Sequence, residues 1–350
     1  MMTTGLYIHI PFCANKCDYC DFLSFDNKEH LWEAYYNVLI EELSNYTQST
    51  PIDSIYIGGG TPTVWFGSGS SISSKAIPKP IYGAEITCEA NPSTLDDEKI
   101  TTLAAMGVNR ISLGLQAWQP RLLQAIGRRD SSFAQAFKAL RREGFANINV
   151  DLMFALPGQT MIDWEETLSQ VVALQPEHIS AYGLTLEEST PLYSRFNGFD
   201  EEADRQMYHY CKVFLQKNGY NQYELSNFCK PGFESIHNLR YWKRKPYRGF
   251  GLGAHSFENN QRWNNTTDLD QYLSGESVRE NIITISDKDA EAESIFLGLR
   301  MTKGIKPIES HRPWIEKMKN DGLLKENNKR IFLSDKGMDL ANIVMAGFLE

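Results

Sequence analysis

Cys13, Cys17 and Cys20 stand in the stretch HIPFCANKCDYC with Cys-x3-Cys-x2-Cys spacing. Structural zinc is held by four protein ligands in paired spacings, and no second Cys pair lies nearby. Soft thiolates also suit iron–sulfur centres, and three of them leave one iron of a cubane open to an outside ligand. Cluster, zinc and coincidence are therefore the three readings of the spacing, and the cluster is the one that accounts for the vacant fourth place. Cys88, Cys211 and Cys229 are scattered and read as buried thiols.

Two acids have an informative setting. Asp151 interrupts the apolar run INVDLMFAL and Glu89 lies in the strand end ITCEAN; a carboxylate so placed is costly to bury without hydrogen-bonded partners. Both read as strand-end acids that are either satisfied structurally or turned toward a ligand. Gly58, Gly59, Gly60 and Thr61 follow another apolar run, where missing side chains permit either a tight turn or close approach of a ligand to the backbone.

The elements that must position these residues alternate regularly. Strands are expected at Leu6–Ile10, Ser54–Ile57, Glu85–Cys88, Arg110–Leu115, Asn147–Phe154 and His178–Leu184, with starts roughly 25 to 50 residues apart. Helices are expected at Leu31–Asn45, Asp96–Met106, Ser132–Arg142, Met161–Leu174 and Glu201–Lys217, with Thr94 or Asp96 as a start signal and Gly107, Gly144 and Gly219 as stops. This predicts an α/β fold, a partial (β/α)6 TIM-like barrel whose strand C-termini carry function. The Gly-, Ser- and Pro-rich stretch between Thr61 and Glu85 argues against a full helix in that unit.

Beyond about residue 230 the alternation ends. We expect a core domain over 1–230 and a smaller C-terminal domain over 231–350, whose end reads as helix, helix, the hairpin DGLLKENNKRIFLSDKG and a last helix. That order is winged-helix-like, without the basic stripe of a DNA binder, so it reads as a packing or partner module. The formal net charge of -9 gives neither nucleic acid nor anionic lipid a reason to bind the whole molecule. No signal-like N-terminus or long apolar run occurs, and the cysteines are too few for a secreted disulfide scaffold. A soluble cytoplasmic protein is expected.

The motifs YIHIPFCANKCDYCDF, YIGGGTPT, EANPSTL, SLGLQAW, IGRRD and NVDLMFALPGQT occur in an order and spacing that resembles the radical S-adenosylmethionine proteins of the coproporphyrinogen dehydrogenase group. Within it the chain is more similar to the heme-chaperone branch. The dehydrogenase pattern has a further Cys where Phe22 stands and a longer N-terminal arm, and HNLRYW (His237 to Trp242) matches the chaperone signature.

The resemblance implies a [4Fe-4S] cluster on Cys13, Cys17 and Cys20. It also implies S-adenosylmethionine against Tyr7, Tyr19, Gly59, Gly60, Thr61, Glu89, Gln116, Arg128 and Asp151, with reductive cleavage to methionine and a deoxyadenosyl radical on an electron from a reductant protein. Arg128 suits a carboxylate through its planar fork. Heme is implied as cargo, with His237 as an axial-ligand candidate, His255 as a second and His9 as structural. Acceptors would be proteins such as respiratory cytochromes or oxidases. Three functions follow as expectations: heme carrier, coproporphyrinogen III dehydrogenase, or another radical reaction on a tetrapyrrole.

Overall fold

A computed structural model of the chain describes residues 2–66, 77–128, 132–196, 198, 200–275 and 279–349. The first two thirds run β1 (Thr4–Ile10), α1 (Trp32–Ser44), β2 (Ile52–Gly59), β3 (Glu85–Ala90), α2 (Asp97–Ala105), β4 (Arg110–Gln116), α3 (Pro120–Ala125), α4 (Phe133–Glu143), β5 (Ile148–Phe154), α5 (Met161–Ala173), β6 (His178–Gly183), α6 (Pro191–Arg195) and α7 (Glu201–Lys217). β1 through β6 pair in chain order, all parallel. This is the TIM-like partial barrel expected from the alternation. Asp96 caps α2 by accepting from the Lys99 N–H, and Gly144 ends α4 in the left-handed region that favours glycine.

Each barrel strand has two different faces. Leu6, Ile8, Ile55, Ile57, Ile111, Leu113, Val150, Leu152 and Ile179 belong to the main core with the outer helices. The alternate positions Tyr56, Glu89, Ser112, Asn149, Asp151, His178 and Ser180 hydrogen-bond among themselves. Side chains on a strand alternate between faces, so the barrel is apolar outside, under its helices, and polar within.

Both sheet edges are extended by later strands: β7 (Asn221–Gln222) and β8 (Asn227–Cys229) beside β6, then, after α8 (Ile236–Trp242), β9 (Tyr247–Phe250), β10 (His255–Glu258) and β11 (Gln261–Asn265) beside β1. α9 (Leu269–Leu273) follows, and β12 (Arg279–Thr284) completes the edge. Strands on both sides of residue 230 therefore share one sheet. A second core gathers Ile295, Leu299, Ile315, Leu324, Ile331 and Val344. It is built by α10 (Asp287–Leu299), α11 (Arg312–Asn320), the hairpin β13 (Leu324–Asn327) and β14 (Arg330–Leu333), α12 (Asp335–Asp339) and α13 (Ala341–Ala346). Asn328 and Lys329 both take positive φ at the hairpin tip, as a tight two-residue connection requires.

In the irregular unit, residues 67–76 of the expected loop lie outside the described residues; Pro62–Val64 makes one 3-10 turn, and 77–84 carry no helix. Among the described residues no helix is long and apolar enough to cross a membrane.

Candidate cofactor site

The three cysteines occupy the loop after β1, partly exposed and unbridged. The Cys13 N–H donates to the Phe25 carbonyl at 2.9 Å and the Cys20 N–H to Cys17 at 3.1 Å, folding the loop back on itself. Thr61 reaches it from the end of β2, its hydroxyl donating to the Cys13 sulfur at 3.6 Å. Burial pushes the Cys13 thiol up, an effect the Thr61 hydroxyl opposes, and pushes Cys17 up against the pull of the Arg128 guanidinium. Cys17 also feels the charges of Cys13 and Cys20. Among the described residues no three His, Cys, Asp or Glu side chains are gathered tightly enough to clasp one metal ion. The three thiols share one loop, and soft donors of this kind suit an iron–sulfur cluster.

The glycines at the end of β2 make room for the protein's own groups. Gly59 sits at φ +115°, and a Cβ there would meet the His9 ring at 2.5 Å; one on Gly60 would meet the Phe12 carbonyl oxygen at 2.5 Å, and one on Gly58 the Glu89 carboxyl at 2.9 Å. The Gly59 N–H donates to Glu89 at 3.0 Å and the Tyr56 hydroxyl to its other oxygen at 2.7 Å. Burial raises the Glu89 carboxyl to about 7, with Asp151 adding to the rise. Asp151 is also raised by burial, opposed by hydrogen bonds from Ser112 at 2.9 Å and Asn149 at 2.8 Å. The pair therefore forms a half-buried, electrostatically coupled acid site.

Gln116 and Arg128 meet over Gly114. A Cβ there would lie 3.1 Å from both the Gln116 amide nitrogen and Arg128 Nη2. Arg128 donates to the Gly114 carbonyl at 2.7 Å, while its buried Nε has no partner among the described residues. Gln116 ends β4 at φ +71°, at a slip in the β4–β5 register; strained backbone of this kind concentrates at ligand sites. Arg128 also acts on the Tyr19 hydroxyl, joining this corner to the cysteine loop. Tyr7 belongs to a different corner: its hydroxyl bonds His9 Nδ1 at 2.8 Å and its ring stacks on Tyr56. His9 is held at both ring nitrogens, by Tyr7 and by the Leu23 carbonyl.

The Radical SAM superfamily profile matches residues 7–171. Over 98% of its length the chain is 36% identical to the heme chaperone HemW of Lactococcus lactis subsp. lactis, spanning 96% of that relative. It is 33% identical to the heme chaperone HemW of Bacillus subtilis over 98% of both chains. The chain belongs to the HemW family. Its fold is shared with coproporphyrinogen III oxidase (HemN) from Escherichia coli, a radical SAM enzyme, at a TM-score of 0.87 over 99% of this chain and 90% of that one, with 22% identity.

In this HemW-family chain the HNLRYW segment lies in α8, and His237, the expected ligand candidate, is buried there among polar partners. The imidazole is 1% exposed. Its Nδ1 pairs with the Ser54 hydroxyl at 3.1 Å and its Nε2 with the Tyr241 hydroxyl at 2.9 Å. Burial lowers its pKa to about 3, with Arg240 and Arg110 contributing. In this arrangement both ring nitrogens are paired with hydroxyls, and the ring ties α8 to β2. Arg240 completes the fastening through the Thr3 and Pro246 carbonyls and an ion pair with Asp53. His255, by contrast, is exposed at the start of β10.

Sequence reasoning missed the inner polar partners Tyr56, Ser112, Asn149, His178 and Ser180. Their signal was present: each stands two residues from another polar position in a strand otherwise rich in Ile, Leu and Val, which is the alternation of a two-faced strand.

Proposed function

We propose that this chain is a heme chaperone that binds heme and passes it to an acceptor such as a respiratory cytochrome or oxidase. The observation that carries this reading is the whole-length likeness to relatives named heme chaperone HemW. Phe22 supports it: the side chain is 68% exposed at the position where the dehydrogenase pattern has its further cysteine.

Cys13, Cys17 and Cys20 would hold a [4Fe-4S] cluster, and the residues around them fit S-adenosylmethionine. Arg128 presents a buried donor without a partner among the described residues and, with Gln116 beside it, suits a carboxylate. Glu89 and Asp151 offer half-buried acceptors for a cationic amino group. When bound, the pair of cofactors would supply one-electron cleavage of a sulfonium. The chain's own residues hold and orient the ligand: Gly59 and Tyr56 fix Glu89, Ser112 and Asn149 fix Asp151, and Thr61 fixes Cys13. For heme iron the reading favours His255, whose ring is exposed and hydrogen-bonded to nothing among the described residues.

A second reading, oxidative decarboxylation of coproporphyrinogen III, is favoured by the completeness of the thiol triad and the Glu89–Asp151 pair. One experiment separates them. The anaerobically reconstituted protein is incubated with reductant, S-adenosylmethionine and coproporphyrinogen III, and a parallel heme-loaded sample is mixed with an apo-acceptor. Heme transfer with no protoporphyrin, the cluster's absorbance being intact, supports the chaperone. Protoporphyrin in amounts well above that of the protein overturns it.

A further inference from the structure

The cysteine loop is gripped by a segment more than 160 residues away. After β6 the chain runs over the end of the barrel and makes α6. There the Leu192 N–H donates to the Asp18 carbonyl at 2.9 Å, Arg195 forms an ion pair with the Asp18 carboxylate, and the Ser189 hydroxyl donates to Asp21. From the other side the Asp18 N–H donates to the Ile126 carbonyl at 3.1 Å. Gly127, at φ +74°, leaves the space that the Asp18 carboxyl fills. Beneath these polar ties lies a small apolar cluster separate from the main core, in which Leu122, Leu123, Ile126 and Leu192 pack together and Tyr19 packs against them. Asp18, Tyr19 and Asp21 alternate with the ligand candidates Cys17 and Cys20, so whatever fixes the first three fixes the sulfurs.

We infer that residues 184–196, with α6, are a clamp that positions the cysteine loop for its cluster, Arg195, Ser189 and Leu192 being its positioning residues. The inference rests on the cluster reading of the three thiols. The clamp lies beyond residues 7–171, the part matched by the superfamily profile, and it is built from contacts that the sequence spacing of the cysteines does not reveal. Its polar ties are exposed, with the Arg195 side chain 55% and Asp18 27% accessible; exposed pairs are individually weak. The apolar seat of Leu192 and the backbone bond therefore carry much of the grip.

The test compares wild type, the double variant Ser189→Ala/Arg195→Ala, and Leu192→Ala by hydrogen exchange of the apo-protein and by the rate at which a chelator strips iron from the reconstituted protein. Amides of residues 13–21 should exchange roughly two- to tenfold faster in the double variant, more so in Leu192→Ala, and iron should be lost faster in the same order. Arg195→Lys should keep most of the protection. Unchanged loop exchange in both variants overturns the clamp, as does acceleration spread evenly over the barrel sheet, which would mean general destabilisation. If wild type takes up no iron the cluster reading fails, while the exchange data still decide whether the clamp exists.

Discussion

Glu85, the first residue of β3, caps the helix that carries His237: one carboxylate oxygen accepts the His237 backbone N–H at 3.0 Å and the other the Ile236 N–H at 3.0 Å. Free N–H groups at a helix start need acceptors, and a carboxylate there also complements the helix dipole. An acid in the first quarter of the chain thus anchors a signature segment 152 residues later. Replacing it as Glu85→Ala should cost about 1 to 3 kcal/mol, read as a lower urea midpoint with an unchanged slope. A midpoint equal to wild type would mean that α8 is held by its side chains alone.

Glu89 gives stability a pH dependence of defined sign. Its carboxyl is carried from 4.5 to about 7 by burial and by Asp151, a difference worth about 3 kcal/mol. The folded-state value lies above the unfolded one, so the contribution is fully present below pH 4.5 and is lost as pH rises through 7. Glu89→Gln removes this dependence. Urea unfolding of both proteins at pH 5 and pH 8 should show the variant gaining relative to wild type at the higher pH. An equal difference at both values would place the titration elsewhere.

The two candidate histidines make opposite predictions. His237 spends both ring nitrogens on Ser54 and Tyr241, so His237→Gln should leave heme affinity within about twofold of wild type while lowering the urea midpoint, since a buried polar partner is lost. His255→Ala should weaken heme binding tenfold or more, about 1.4 kcal/mol, and leave the midpoint unchanged. A heme titration altered by the first substitution and indifferent to the second would reverse the assignment and require α8 to open on binding.

The barrel was largely legible because its strands and helices announce themselves locally. α7 spans Glu201–Lys217 as its pattern predicts, and β4 begins at Arg110. The short helices α3 and α6 were not legible, because five or six residues make fewer than two turns and cannot repeat an apolar pattern. At the site, residue types identified the thiols and the acids, since few other roles explain them at those positions. The gathering of Gln116 with Arg128, and of Asp18 with Arg195, depends on β4's register slip and on a long return of the chain, and neither leaves a spacing to read. The burial of His237 between Ser54 and Tyr241 was likewise illegible, because a single histidine in a sequence does not show which neighbours its ring will meet.

The thiol triad offers the most direct trial of the cofactor assignment. Cys17 lies in the loop after β1 with two other partly exposed thiols, whereas Cys88 is fully buried on the helix-facing side of β3 and burial drives its thiol well up. Metal ligation requires the thiolate, so the two cysteines should behave differently. Cys17→Ala should abolish the charge-transfer absorbance and the bound iron and sulfide after anaerobic reconstitution, with the apo-protein still folded by circular dichroism. Cys88→Ala should retain all three and lose only stability, by about 1 kcal/mol for a small buried side chain. Iron retained by the Cys17 variant at wild-type stoichiometry would remove the cluster from this loop, and with it the reason for the loop to be held at Asp18, Tyr19 and Asp21.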